Sequence, residues 1–122
     1  MNFIFSKEEK ELIAGSMLRL AEFVGKKDKS RALRILKIVE KTATNNRIVK
    51  LNKKQAEAIV YFCAKLSGEL AEITIPEYLK RIEKNEKDKE KYKTYIENAT
   101  NKIKILHNLG RKVHQKLIMR RS

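Results

Sequence analysis

The chain has 122 residues, of which 36% are charged and 42% hydrophobic, and its net charge is +14. One proline and four glycines are few turn residues for a β-sandwich or barrel, so the composition favours an all-α helical bundle. A single cysteine excludes an internal disulfide, and no apolar run is long enough to predict a transmembrane helix. The N-terminus does not resemble a signal peptide, so we expect a cytoplasmic protein with one domain, 1–122.

The N-terminal part of the chain contains two predicted helices. The first covers 7–24 and is expected to end at Gly25, and the second covers 29–44. The first is predicted to bury Ile13, Met17, Leu20 and Val24. The second is predicted to bury Ala32, Leu36, Val39 and Ala43. Two short segments, 3–5 and 48–51, are candidates for extended structure and could pair with each other.

The segment that starts at Phe5 is repeated 46 residues later, where Phe5–Glu9 aligns with Leu51–Gln55. In both copies a polar cap residue is followed three residues later by Glu or Gln, which is the spacing of a capping box. The apolar residue before each cap stands where a hydrophobic staple is expected. Two interpretations stay open: a duplicated helical hairpin, or two helices that merely share the same capping rules.

A third helix is predicted over 53–72, and its apolar residues alternate by three and four positions. They are Ala56, Ile59, Cys63, Leu66, Leu70 and Ile73. A fourth helix is predicted to start after Thr74, with Pro76 in its first turn and Glu77 closing another capping box. This start divides the chain into a helical core, 1–74, and a C-terminal arm, 75–122.

The arm is too long to be one helix inside a compact domain. An unbroken helix over 75–119 would measure about 65 Å, whereas a compact chain of this size is about 35 Å across. Residues 83–91 contain no apolar side chain. We therefore predict a break near 85–89 and a fifth helix over about 90–119, with a protruding continuous helix as the alternative. The apolar seam of 92–117 could also form a homodimer, although it lacks flanking charges that would select a partner.

No combination of residues predicts catalysis, a cofactor or a metal. His107 and His114 are seven residues apart, whereas two helical ligands of one metal are usually three or four apart. Cys63 lies on an apolar seam without a local base, so we expect a small buried residue instead of a nucleophile. The sequence therefore favours a protein that is not an enzyme.

The positive charge is concentrated in two segments. Residues 26–56 carry 11 bases and 2 acids, a net charge of +9, and residues 98–122 carry 7 bases and no acid. In the second helix, four bases recur every three or four residues and form a stripe opposite Leu36 and Val39. The candidate nucleic-acid-binding residues are Lys26, Lys27, Lys29, Arg31, Arg34, Lys37, Lys41, Arg47, Lys50, Lys53, Lys54, Lys102, Lys112, Lys116, Arg120 and Arg121.

Three functions fit this pattern. Clustered bases that repel one another favour a polyanionic partner, so binding of DNA or RNA through phosphates is the first. Lysine outnumbers arginine by 21 to 8, which predicts weak sequence specificity. Tyr92 and Tyr95 lie among lysines and could stack on bases, although the pattern favours a core position for Tyr92 and simple exposure for Tyr95. The second function is a small adaptor or inhibitor that docks on an acidic protein surface, and the third is attachment of helix 99–121 to an anionic membrane.

Overall fold

The computed structural model describes the backbone of residues 1–121 and the side chains of residues 1–119. The predicted all-α class is confirmed, because two strands of two residues each are the only described elements that are not helical. The elements are β1 (Asn2–Phe3), α1 (Lys7–Gly25), α2 (Lys29–Thr42), β2 (Val49–Lys50), α3 (Lys53–Glu69), α4 (Ile75–Lys84) and α5 (Lys89–Arg121). Over the described residues, every helix is too short or too polar to cross a bilayer.

The chain divides into two compact units, Met1–Glu57 and Ala58–Ser122. The expectation of a single domain with a core over 1–74 and an arm over 75–122 stays a prediction. The first unit contains α1, α2, both strands and the start of α3. The second contains the rest of α3, α4 and α5.

The predicted pairing of the two extended segments is confirmed, although the paired strands are shorter than these segments. β1 and β2 pair antiparallel, with Phe3 opposite Val49, and the backbone N–H of Leu51 donates to the carbonyl of Met1 at 2.9 Å. Phe3 and Val49 are 46 residues apart, which is the same offset as between Phe5 and Leu51 in the sequence repeat. Phe3, Val49 and Leu51 are all buried.

Both predicted capping boxes at the starts of α1 and α3 are confirmed. The Ser6 hydroxyl accepts from the N–H of Glu9 at 3.1 Å, and the Glu9 carboxylate accepts from the N–H of Ser6 at 2.8 Å. Asn52 and Gln55 exchange the same two bonds at 2.8 and 3.0 Å. Each box satisfies N–H groups that a helix start would otherwise leave without a partner.

The turn between α1 and α2 has a different origin from the one that the sequence predicted. Gly25 is the last residue of α1 and lacks the positive φ of a glycine stop. Instead, Asp28 has extended backbone and its carboxylate accepts from the N–H of Arg31 at 3.0 Å, which caps α2. A Cβ at Gly25 would lie 3.5 Å from that of Ala32, so the glycine also permits close packing of the two helices.

The third helix does not turn at the place equivalent to the turn after α1, so the capping box predicted at Thr74 is wrong, and of the two open interpretations the duplicated hairpin is not supported. A π-helical turn, Leu70–Thr74, joins α3 to α4 without interruption. Thr74 has helical backbone, which keeps its side chain from capping. Pro76 cannot donate a backbone bond, and the wider turn accommodates it, with the N–H of Ile75 bonded to the carbonyl of Leu70.

The π turn also changes which side chains are buried. Its extra residue rotates the following helix by about 100° relative to an α-helical continuation. Ile73, which the sequence placed on the buried seam of the third helix, lies within the π turn and is exposed. Ala56, Ile59 and Cys63, which precede the turn, are buried as predicted.

The buried face of α2 lies one residue away from the predicted one. Ala32 is buried as expected, but Ile35, Ile38 and Thr42 take the places assigned to Leu36, Val39 and Ala43. A shift of one residue rotates the face by about 100°. The reason is that apolar residues cover two adjoining sides of this helix, so periodicity alone does not select one of them.

The arm breaks where the sequence predicted. α4 ends at Lys84, a 3₁₀ turn covers Glu86–Asp88, and α5 runs for 33 residues, or about 50 Å. The apolar seam of α5 is confirmed at its buried residues, which are Ala99, Leu106, Leu109, Val113 and Leu117. These side chains are already covered in the folded chain. The homodimer through 92–117 stays a prediction, and it would have to use the remaining faces of α5.

Candidate nucleic-acid interface

The basic strip of α2 is the most regular charged surface of the first unit. We define the α2 strip as the exposed residues Arg31, Arg34, Lys37 and Lys41. Around the helix, Arg34 and Lys41 lie about 95–115° and Lys37 about 155° from the centre of the buried face, so the strip runs from the side of that face to nearly opposite it. Successive residues are about 5–6 Å apart at Cβ, which is less than the Debye length of about 8 Å at physiological salt. Their positive potentials therefore add.

No described carboxylate forms an ion pair with this strip. Within the described part of the chain, no Asp or Glu oxygen lies within 4.0 Å of a charged nitrogen of Arg31, Arg34, Lys37 or Lys41. The same holds for seven other exposed candidates: Lys26, Lys27, Lys29, Arg47, Lys50, Lys54 and Lys102. Lys53 has a weak contact with Glu57 at 4.0 Å. An external anion that binds these bases would therefore relieve the repulsion among them.

A side-chain contact links the α2 strip to the first turn of α3. The ammonium of Lys41 donates to Gln55 Oε1 at 2.9 Å, and the same oxygen accepts from the backbone N–H of Asn52. Lys53 and Lys54 occupy that first turn. The first unit thus brings the C-terminal end of the strip next to two further bases that are distant in sequence.

The loop that carries Arg47 is stabilised by hydrogen bonds from Lys10. The ammonium of Lys10 in α1 donates to the carbonyls of Thr44 at 3.1 Å and Asn46 at 2.8 Å. Lys10 therefore has a structural role, while the neighbouring Arg47 is exposed. This difference separates a lysine that stabilises the fold from a candidate for phosphate contact.

The candidates on α5 have varied surroundings. Lys102 and Lys116 are exposed, and Lys112 is half-buried. Lys112 and Lys116 both have interactions with other groups of the protein. Arg120 and Arg121 lie outside the residues whose side chains the structure describes. On α5, Lys102 is thus the clearest exposed candidate.

Residues 80–97 carry charges of both signs, with 7 bases and 5 acids. Arg81 pairs with Glu77 at 3.1 Å, and Lys93 approaches Glu90 at 3.9 Å. Exposed pairs of this kind contribute roughly 0.2–1 kcal/mol each. This region is thus less suited than the α2 strip to attract a polyanion by charge alone.

Three tyrosines form a cluster where α4 and α5 meet. The ring centroids of Tyr78, Tyr92 and Tyr95 are 5.5–5.8 Å apart, and all three pairs are tilted or edge-on. These are the favoured geometries of aromatic pairs. Tyr78 and Tyr92 are half-buried, whereas Tyr95 is 39% exposed. We call these three residues the tyrosine cluster.

Two cations border the tyrosine cluster. Lys91 Nζ lies 5.9 Å from the ring centroids of both Tyr92 and Tyr95. The guanidinium of Arg81 lies 5.8 Å from the ring of Tyr92 and donates to its hydroxyl at 3.4 Å. The hydrogen bonds to Tyr92 and Glu77 raise the pKa of Arg81 above its ordinary value, and the guanidinium is charged at physiological pH as arginine always is. Cation–π contacts at exposed sites are worth about 0.5–1 kcal/mol, so a stronger stacking partner can displace them.

The sequence pointed to Tyr92 and Tyr95 but not to Tyr78 or Arg81. The missing signal was the fold of the arm, because a helical hairpin closed at 85–88 brings α4 alongside the start of α5. In α4, Tyr78 and Arg81 are three residues apart and so share one face. A search for aromatic and basic residues on both sides of the predicted break would have found them.

Comparisons of the chain with protein-family models, curated proteins and solved structures found no match.

Proposed function

We propose that this protein binds nucleic acid without catalysis, through phosphate contacts of low sequence specificity. The observation that carries the proposal is the α2 strip: four exposed bases at helical spacing with no carboxylate partner among the described residues. Lys53 and Lys54 extend this basic surface beyond Lys41. Ammonium groups contact phosphates as point charges and carry little base information, which supports the low specificity.

The direct test is the salt dependence of DNA binding by the intact chain. Neutralising about six phosphates releases counterions and predicts a plot of log K against log salt concentration with a slope near −5 on a duplex. Fluorescence anisotropy of a labelled duplex of mixed sequence provides the measurement, and a scrambled duplex should bind equally well. A slope near zero, or no binding at low salt, would contradict the proposal.

The second candidate function is docking on an acidic protein, and one observation favours it. Leu33, which is 62% exposed, and Leu36 lie on α2 next to the α2 strip, on the side away from the buried face. Phosphate binding does not need these leucines, whereas the centre of a protein interface usually contains apolar anchors. A partner with an acidic rim around an apolar groove would complement this surface.

Replacement of Leu33 distinguishes the two functions. For a protein partner, Leu33→Gln should reduce the amount of one stoichiometric protein recovered after nuclease treatment, and Leu18→Gln should not. Leu18 is the matched control because it is an exposed leucine of α1 in the same unit. If Leu33→Gln leaves recovery unchanged and DNA binding intact, the adaptor function loses its support.

A further inference from the structure

The tyrosine cluster offers a chemistry that the basic surfaces lack. Phosphate contacts retain any polyanion, but an exposed aromatic ring can also stack on a nucleobase. In duplex DNA or RNA the bases are already stacked on one another. A base that reaches an aromatic side chain therefore comes from a single strand, a loop or a strand end.

From this cluster we infer that the protein prefers single-stranded nucleic acid and stacks an unpaired base on Tyr95. The inference rests on the proposed function, because the phosphate contacts supply the initial attraction. Tyr95 is the cluster member with the largest exposed fraction, 39%. Its ring contacts Tyr78 at 5.5 Å and Tyr92 at 5.8 Å, so the stacking surface is held in place before the base arrives.

The cations around the cluster favour a nucleotide over a neutral aromatic ligand. Lys91 Nζ lies 5.9 Å from the Tyr95 ring centroid, near enough to contact a phosphate next to the stacked base. Its four-carbon stem allows it to move from the ring to that phosphate. Arg81 is held by Tyr92 and Glu77, so it orients the Tyr92 ring and stays in place.

The test compares two oligonucleotides that differ only in their bases. One is a short single-stranded oligodeoxyadenylate, and the other is an abasic strand of the same length with the same phosphates. The wild-type protein should bind the base-containing strand more tightly. Tyr95→Leu should weaken that binding by about fivefold to 150-fold, the usual range for the loss of one stacked base, and should leave abasic binding unchanged.

Two matched variants complete the design. Tyr95→Phe keeps the ring and should stay within about twofold of wild type. Tyr61→Leu removes the tyrosine of α3, which is 63% exposed and outside the cluster, and should have no effect. Unchanged abasic binding also shows that each variant keeps its folded basic surface.

The possible outcomes separate the two proposals. If Tyr95→Leu binds both strands as wild type does, or loses both equally, the stacking inference is wrong while phosphate binding stands. If the wild-type protein binds neither strand in a salt-dependent way, both proposals are wrong. The chain has no tryptophan and four tyrosines, so tyrosine fluorescence gives a second readout. Quenching by oligodeoxyadenylate should persist in Tyr61→Leu and diminish in Tyr95→Leu.

Discussion

The α2 strip and the tyrosine cluster both contain several bases, yet their surroundings differ. In the α2 strip no described carboxylate lies within 4.0 Å of the cations, and no described aromatic ring contacts them. Around the tyrosine cluster Arg81 pairs with Glu77 and contacts a ring, and Lys91 contacts two rings. Net charge alone would show only that one region is more positive than the other. Their local partners suggest different tasks, long-range attraction of phosphates in one and short-range contact with bases in the other.

The largest expected effect comes from neutralising the α2 strip. A triple variant, Arg31→Gln, Arg34→Gln and Lys37→Gln, should weaken duplex binding by about 500-fold at 0.1 M salt, because each phosphate contact contributes about 0.9 to the logarithmic salt slope. That slope should become smaller by about 2.7. Lys41 is left in place because it also bonds Gln55. Anisotropy titrations at several salt concentrations measure both quantities.

The matched control for this variant removes three charges near the tyrosine cluster. The control variant combines three changes at exposed residues, Lys80→Gln, Lys84→Gln and Lys87→Gln. It lowers the net charge by the same amount as the variant in the α2 strip. We expect a loss at least tenfold smaller than in the α2 strip, because acids already offset much of the potential there. Equal losses in the two variants would show that total charge, and not its local arrangement, controls affinity.

An intermediate effect is expected at the two equivalent helix caps. Ser6→Ala and Asn52→Ala should each lower the free energy of unfolding by about 1 kcal/mol, because each removes a side-chain acceptor from a capping box. Urea titration followed by circular dichroism measures the change. Ser30→Ala, at an exposed position within the first turn of α2, serves as the control. A markedly larger loss at only one cap would mean that the two copies contribute unequally.

The smallest expected effect is at the acids of the arm. Glu77→Gln removes the carboxylate that pairs with Arg81, so duplex affinity should rise by about twofold to fivefold at low salt, and the gain should vanish at high salt. The free energy of unfolding should fall by less than about 0.5 kcal/mol, since the pair is exposed. Glu22→Gln, on α1, has the same charge change and provides the comparison. An identical gain there would indicate a general effect of net charge.

Much of the local structure followed from the sequence. Both capping boxes, the strand pairing and the break after Lys84 were predicted, because each depends on residues close in sequence or on a clear lack of apolar side chains. The face of α2 was predicted one residue away, because Leu33, Ile35, Leu36 and Ile38 present apolar side chains on two sides. The candidate site was likewise only partly foreseen, since Tyr78 and Arg81 join Tyr92 only after the arm folds back.

By itself the sequence determined where most helices begin, that the class is all-α and where the positive charge is concentrated. These features arise from short-range hydrogen bonding, periodicity and composition. Only the tertiary structure decided that α3 continues through a π turn into α4, which side of α2 is buried, and that three tyrosines share one cluster. The buried side of α2 and the tyrosine cluster depend on packing between different elements, where several local patterns are compatible with the chain and the burial of apolar surface selects one, whereas the π turn accommodates Pro76.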